Sequence, residues 1–166
     1  MDELEWYKKL TITLIGFDES NFALLDKRDE KKVKDNEELM IGIINADPLL
    51  FKFASLRLQN DKGFVIKALT QDNIPYKDIP EHLQKDHDIA LIAATKKDGA
   101  FLFVPDELKE NRDFVKKAVR ANGMYLNYVD EIFKFDQEIV KMAYNNNPEI
   151  LNHIPGDFIA SIIDVN

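Results

Sequence analysis

From residue 36 onward the apolar and polar positions fall into columns that return every 25 residues. Leu39, Met40, Ile43 and Ile44 are spaced to share one face of an α-helix. One step later come Phe64, Val65 and Ala68, then Ile89, Ala90 and Ala93, then Phe114, Val115 and Ala118, then Ile139, Val140 and Ala143, with no insertion. A second set of columns follows the first. It comprises Phe51, Tyr76, Phe101, Leu126 and Leu151, then Ala54, Ile79, Val104, Val129 and Ile154, and finally Leu58, Leu83, Leu108, Phe133 and Phe158. Strand-type alternation does not persist, and a column of alanines wastes β propensity. The pattern predicts an all-α chain in which each repeat is a helix of about ten residues, a tight turn, a helix of about six and one closing turn.

The polar positions between the columns have their own logic. Asn36, Asp61, Asp86, Asn111 and Asp136 lead the repeats, and an Asn or Asp oxygen there accepts from the free N–H groups of a first helical turn. Glu38, Asp88, Asp113 and Glu138 follow two residues later, where acids suit the positive end of the helix dipole; Gly63 breaks that column. Asp47-Pro48, Asp72-Asn73, Asp98-Gly99, Asn122-Gly123 and Asn147-Pro148 are helix-ending, turn-forming pairs. Ser55, Pro80, Pro105, Asp130 and Pro155 stand where the closing turn begins, and proline is tolerated at a first helical position.

One such unit cannot bury its apolar face alone, whereas stacked neighbours bury it jointly. The expected architecture is therefore a short solenoid of right-handed type, with five helix-turn-helix repeats at 36–60, 61–85, 86–110, 111–135 and 136–160. A tail covers 161–166, and Phe158–Ile163 is expected to pack as a lid on the last repeat. Residues 1–35 do not fit the columns and read as an amino-terminal cap. Within it Trp6, Tyr7, Leu10, Ile12, Leu14, Ile15 and Phe17 form an apolar block that suits a helix or a strand. Charged residues fill 11 of the 13 positions from 26 to 38, which reads as a solvated helix or linker.

The segments NDKGFVIKAL, KDIPEHLQKD and NRDFVKKAVRANGMYLNYVDEIFKFD resemble an uncharacterised family of short tandem helical repeats, a domain of unknown function. Its pattern runs N-D-x-x and two hydrophobic residues, an alanine, an N-G turn, then A-S-E-E-L. The resemblance covers 36–160, and the chain departs from it where proline replaces the small residue at 80, 105 and 155. It implies a helical repeat scaffold and carries over no activity and no site.

Composition narrows the function. The chain has 166 residues and no cysteine, which removes disulfides, thiolate metal sites and a cysteine nucleophile. No run of 18 apolar residues and no signal-peptide pattern occurs, so a cytoplasmic protein is expected, with no membrane partner. Lys and Arg total 22 against 30 Asp and Glu, a formal charge of −8. The excess is spread along the chain, and no cation cluster of the kind that neutralises phosphates is visible, so direct nucleic-acid binding is not expected.

Candidate chemistry is sparse. His82, His87 and His153 are the only histidines, and their spacing matches no metal motif. HExxH, GxSxG, a phosphate-binding glycine loop and a calcium loop are all missing. Paired acids such as Asp106-Glu107 and Asp130-Glu131 recur with the period and read as solvated cap positions. No catalytic residue, cofactor or metal is expected. Phe53, Phe103, Tyr128 and His153 form an aromatic column interrupted by Asp78, which core packing or a binding face would explain.

The reading that follows is a non-enzymatic protein–protein interaction module. Its partner face is expected on columns that vary between repeats, with Lys67, Gln71, Lys96, Lys117, Arg120, Tyr125 and Asn145 as candidate contacts. An alternative is a small acidic inhibitor of a nucleic-acid-processing enzyme, of mobile-element or phage type. An enzyme with a pocket between the amino-terminal segment and the first repeat is a third.

Overall fold

The computed structural model describes residues 19–23, 25–72, 74–96 and 100–163. The apolar block at 6–17 and the turn pairs at 72–73 and 98–99 fall outside these residues wholly or in part. Among the described residues all regular structure is helical. The protein is an all-α repeat array in two compact units that divide between Leu83 and Gln84.

Each repeat starts with an opening helix: Glu37–Ala46, Lys62–Asp72, His87–Lys96, Arg112–Ala121 and Gln137–Asn146. All five lead residues act as N-caps. Their side-chain oxygens accept from Leu39 N–H at 3.0 Å, Phe64 N–H at 2.7 Å, Ile89 N–H at 3.3 Å, Phe114 N–H at 3.0 Å and Ile139 N–H at 3.1 Å. The columns headed by Leu39, Met40 and Ile43 are buried in every repeat.

A short 3-10 helix follows each opening helix, at Pro48–Phe53, Tyr76–Asp78, Ala100–Phe103, Gly123–Tyr128 and Pro148–His153. These are tighter than the expected α-helices. Their buried pairs, such as Phe51 with Ala54 and Phe101 with Val104, lie three residues apart, the period of a 3-10 turn. In repeats one, four and five a single Asn or Asp joins the two elements. The N–H groups of Asp47, Asn122 and Asn147 donate to the carbonyls of Ile43, Ala118 and Ala143, ending the opening helix. The same residues' side chains then accept from Leu49, Met124 and Glu149 N–H at 2.9, 3.0 and 2.9 Å, starting the next element.

The closing elements are Leu56–Gln59, Glu81–Gln84, Asp106–Lys109, the 3-10 helix Glu131–Phe135, and Gly156–Ile163. Ser55 and Asp130 cap them through side-chain oxygens, to Leu58 N–H and Ile132 N–H. The prolines stand one position earlier than expected. Pro105 occupies the N-cap itself, and its carbonyl accepts from Leu108 and Lys109 N–H.

In the first unit the charged run at 26–38 is more than a linker. Asp26 caps a helix at Lys27–Lys34, whose Val33 is fully buried. The Lys34 carbonyl accepts from Ser55 N–H at 2.7 Å, as the Lys109 carbonyl accepts from Asp130 N–H at 3.3 Å. The helix thus takes, against the first repeat, the place that the third repeat's closing helix takes against the fourth. A shorter helix at Glu19–Ala23 brings Phe22 onto Phe53, ring centroids 5.1 Å apart.

In the second unit Phe101 forms the middle of an aromatic cluster. Its ring stacks on Tyr125 at 4.3 Å and lies 6.3 Å from Phe114. Closeness of neighbouring repeats explains the small-residue column. Ala118 and Ala143 are fully buried, and a Cβ at Gly123 would overlap the Ala143 carbonyl oxygen. The terminal helix Gly156–Ile163 half-buries Phe158 and Ile159, and Phe158 meets Phe135 edge-on at 5.7 Å.

Candidate interaction surfaces

The opening helices present one face to the core and the other to solvent. The varying columns lie mainly on the solvent face: Gln71, Lys117, Arg120 and Asn145 are exposed. Lys67 is half-buried and reaches Glu37 of the preceding repeat at 3.1 Å. Lys96 ends its opening helix, and its side chain lies outside the described residues.

Tyr125 does not belong to this surface. It is 8% exposed, and its hydroxyl donates to the Ala94 carbonyl. Its column also holds the buried Leu50 and Ile150, so position 125 is a core position of the 3-10 helix that sequence columns had left unassigned. Burial of the ring beside Phe101 accounts for its place.

Ion pairs bridge neighbouring repeats on the outer face. Arg112 reaches Asp136 at 3.0 Å and Glu138 at 2.7 Å, and Lys116 also pairs with Glu138. Hydrogen bonds from Lys116 and then Arg112 hold the Glu138 carboxyl below the usual carboxylate range. Asp35 is lowered likewise, by its bonds from the Ser55 hydroxyl and the Arg57 guanidinium. Such exposed pairs set register more than stability.

Arg120, Met142, Asn145 and Asn146 line an open depression of about 330 Å³ between the fourth and fifth opening helices. Asn146 is committed to structure there. Its amide donates to the Arg120 carbonyl at 2.9 Å and accepts from Gly123 N–H at 2.7 Å. The depression therefore juxtaposes the predicted contacts Arg120 and Asn145 without any converging catalytic pair.

A different surface is more unusual. Large apolar side chains stand in solvent along the 3-10 and closing elements, Leu49 and Leu56 in repeat one and five more in repeats three and four. Leu102 is 54% exposed, Phe103 62%, Tyr128 48%, Ile132 68% and Phe135 55%. Scattered exposed apolar residues are ordinary, and these five stand out because they fall on the 3-10 and closing elements of two neighbouring repeats. The aromatic column had pointed to Phe103 and Tyr128. Leu102, Ile132 and Phe135 were missed, although each interrupts a column that is otherwise polar or small: Lys52, Lys77, Asn127 and Asn152; Arg57, His82, Glu107 and Asp157; Asn60, Lys85, Glu110 and Ala160.

Among the described residues no three His, Asp or Glu side chains gather in a way that could hold an ion. His82 and His153 are exposed, and the half-buried His87 lies edge-on to Phe114 at 5.6 Å. Nor is any described helix long and apolar enough to cross a membrane.

Comparison with known proteins fits the repeat reading. No curated protein and no solved structure matches the chain. A family profile does match, over residues 36–84, 86–134 and 111–159. These windows span two 25-residue units each, and the last two overlap by one unit, as a tandem array requires. Together they cover most of the sequence, and the chain belongs to the family described as domain of unknown function DUF4116.

Proposed function

We propose that the protein is a non-enzymatic protein–protein interaction module acting in the cytoplasm. One observation carries the reading: the row of Leu102, Phe103, Tyr128, Ile132 and Phe135, exposed on a unit whose interior is already filled. Burying such side chains against a partner is worth about 1.5–3 kcal/mol each when burial is complete. The polar groups nearby serve as caps and ion pairs and leave no converging nucleophile, base and acid. The acidic-inhibitor alternative has weaker support, because Asp136 and Glu138 are tied to Arg112 and Lys116 and do not form a free anionic face.

The test is affinity capture from cells with three baits that retain wild-type circular dichroism. These are the wild type, a Phe103→Ser Ile132→Ser variant, and a Lys117→Glu Arg120→Glu variant. A partner held by the wild type and the second variant, and lost from the first, supports the apolar row. A partner lost only from the second variant moves the function to the opening-helix face. Retention by all three sinks both assignments.

A further inference from the structure

We infer that the apolar row of repeats three and four receives a cationic amphipathic segment of a partner protein, anchored by an aromatic ring. The inference rests on the interaction-module reading and adds the chemistry of the partner. Two observations choose this occupant over others.

The first is that the chain already covers one member of the same column. Phe53, Phe103 and Tyr128 occupy equivalent repeat positions. At Phe53 the position is shielded by Phe22, carried on a short preceding helix, with the ring planes 24° apart. The Lys34 ammonium lies 5.4 Å from the Phe53 ring centroid and 5.0 Å from that of Phe22. Lys34 stands at the repeat position of Lys109 and belongs to the scaffold, so the added covering group is the second aromatic ring, and a ring is what this repeat position accommodates. Phe53 is half-buried as a result, whereas Phe103 and Tyr128 stand in solvent.

The second is charge. Lys109 and Lys134 lie beside the row but fold inward, their side chains only 15% and 14% exposed, and the Lys109 ammonium donates to the Leu102 carbonyl at 3.1 Å. The acids they pair with point outward: Asp106 is 87% and Glu131 75% exposed. Glu107 is 72% exposed and pairs at 3.7 Å with Lys85, itself 47% exposed, and Glu110 and Asp130 are exposed too. Exposed acids therefore outnumber exposed cations on these elements, and the charge that a partner meets is on balance negative. It complements lysines or arginines flanking hydrophobic anchors. It opposes an acidic segment, and also a second copy of a chain with net charge −8.

The experiment titrates the full chain with a labelled, helix-forming synthetic peptide that carries Phe and Leu one turn apart between lysine flanks, read by fluorescence anisotropy. Saturable binding is expected. It should weaken by about tenfold or more in a Phe103→Ser Tyr128→Ser variant that retains wild-type circular dichroism, as hot-spot truncations do. A peptide with glutamate in place of lysine should bind at least about tenfold more weakly, and added salt should narrow that gap. Equal binding of the two peptides, undiminished binding by the variant, or no saturable binding overturns the inference. So does a wild-type dimer in sedimentation that the variant dissolves, because the occupant is then a second copy. If the double variant also loses its captured cellular partner, the interaction reading survives a failed peptide test. If it keeps that partner, the row itself is the wrong surface.

Discussion

Replacing Gly123 with alanine tests how closely the fourth and fifth repeats approach. The added Cβ would overlap the Ala143 carbonyl oxygen and lie 3.0 Å from the Ala143 carbonyl carbon and 3.2 Å from Asn147 N. All three are backbone atoms at the end of an opening helix, so no side-chain rotation relieves the overlap. The 3-10 turn must move instead, which strains the 2.7 Å bond from Gly123 N–H to Asn146. Overpacking costs about 1–3 kcal/mol, and a weakened hydrogen bond adds about 0.5–1.5 kcal/mol. Loss of glycine's freedom in the unfolded chain offsets only about 0.4–1 kcal/mol. The net expectation is a destabilisation of about 0.5–4 kcal/mol. With a urea slope of about 2 kcal/mol/M, the midpoint should fall by roughly 0.3–2 M at unchanged slope. The assay is a urea melt of the full chain followed by far-ultraviolet circular dichroism. A variant that melts with or above the wild type would refute the close approach. Pro48 and Pro148 carry a Cβ at the equivalent positions, so the effect belongs to this one step of the array.

Two further outcomes are expected. Ala118→Leu should lower stability by about 1–3 kcal/mol, because its fully buried position faces a crossing, while exposed Lys117→Ala should stay within about 0.5 kcal/mol; equal melting midpoints for the two would place the alanine column in solvent. Glu138, whose folded carboxyl is lowered by Lys116 and Arg112, contributes stability above its unfolded pKa and loses it as pH falls through the folded value. Acid titration of thermal midpoints should therefore show a shallower acid-side loss for Glu138→Gln than for the wild type, and parallel curves would mean that the ion pairs are not formed in solution.

The scaffold was legible because each repeat repeats its physics as well as its letters. A cap, an i, i+1, i+4 apolar face and a turn pair recur, so errors in one unit are corrected by the other four. The capping by Asn36, Asp61, Asp86, Asn111 and Asp136 followed directly from this. The 3-10 form of the second helix was less legible, since six residues offer too few positions to separate a period of three from 3.6. That ambiguity misplaced Tyr125, which a six-residue α-helix leaves unassigned but a 3-10 helix carries into the core. The candidate surface was half legible. Averaging columns reveals what repeats share, and a partner surface is what one or two repeats do differently. Ile132 in a column of Arg57, His82, Glu107 and Asp157 is such a difference, and only its 68% exposure shows that the change does not serve the core.

The bond between Gly123 N–H and Asn146 also bears on how the chain ages. An Asn-Gly pair is chemically short-lived in open chains, because the glycine nitrogen attacks the preceding carboxamide, closes a succinimide and expels ammonia. In this fold the Gly123 nitrogen has its hydrogen committed to Asn146, and the Asn122 oxygen is held by Met124 N–H at 3.0 Å. Attack requires the peptide nitrogen to give up its proton, which ends on the departing ammonia, and the carboxamide carbon to swing onto it; the bond to Asn146 opposes the first and the bond from Met124 the second. The residue pair that ends one helix and begins the next is thereby kept from its own side reaction for as long as the fifth repeat stays docked on the fourth.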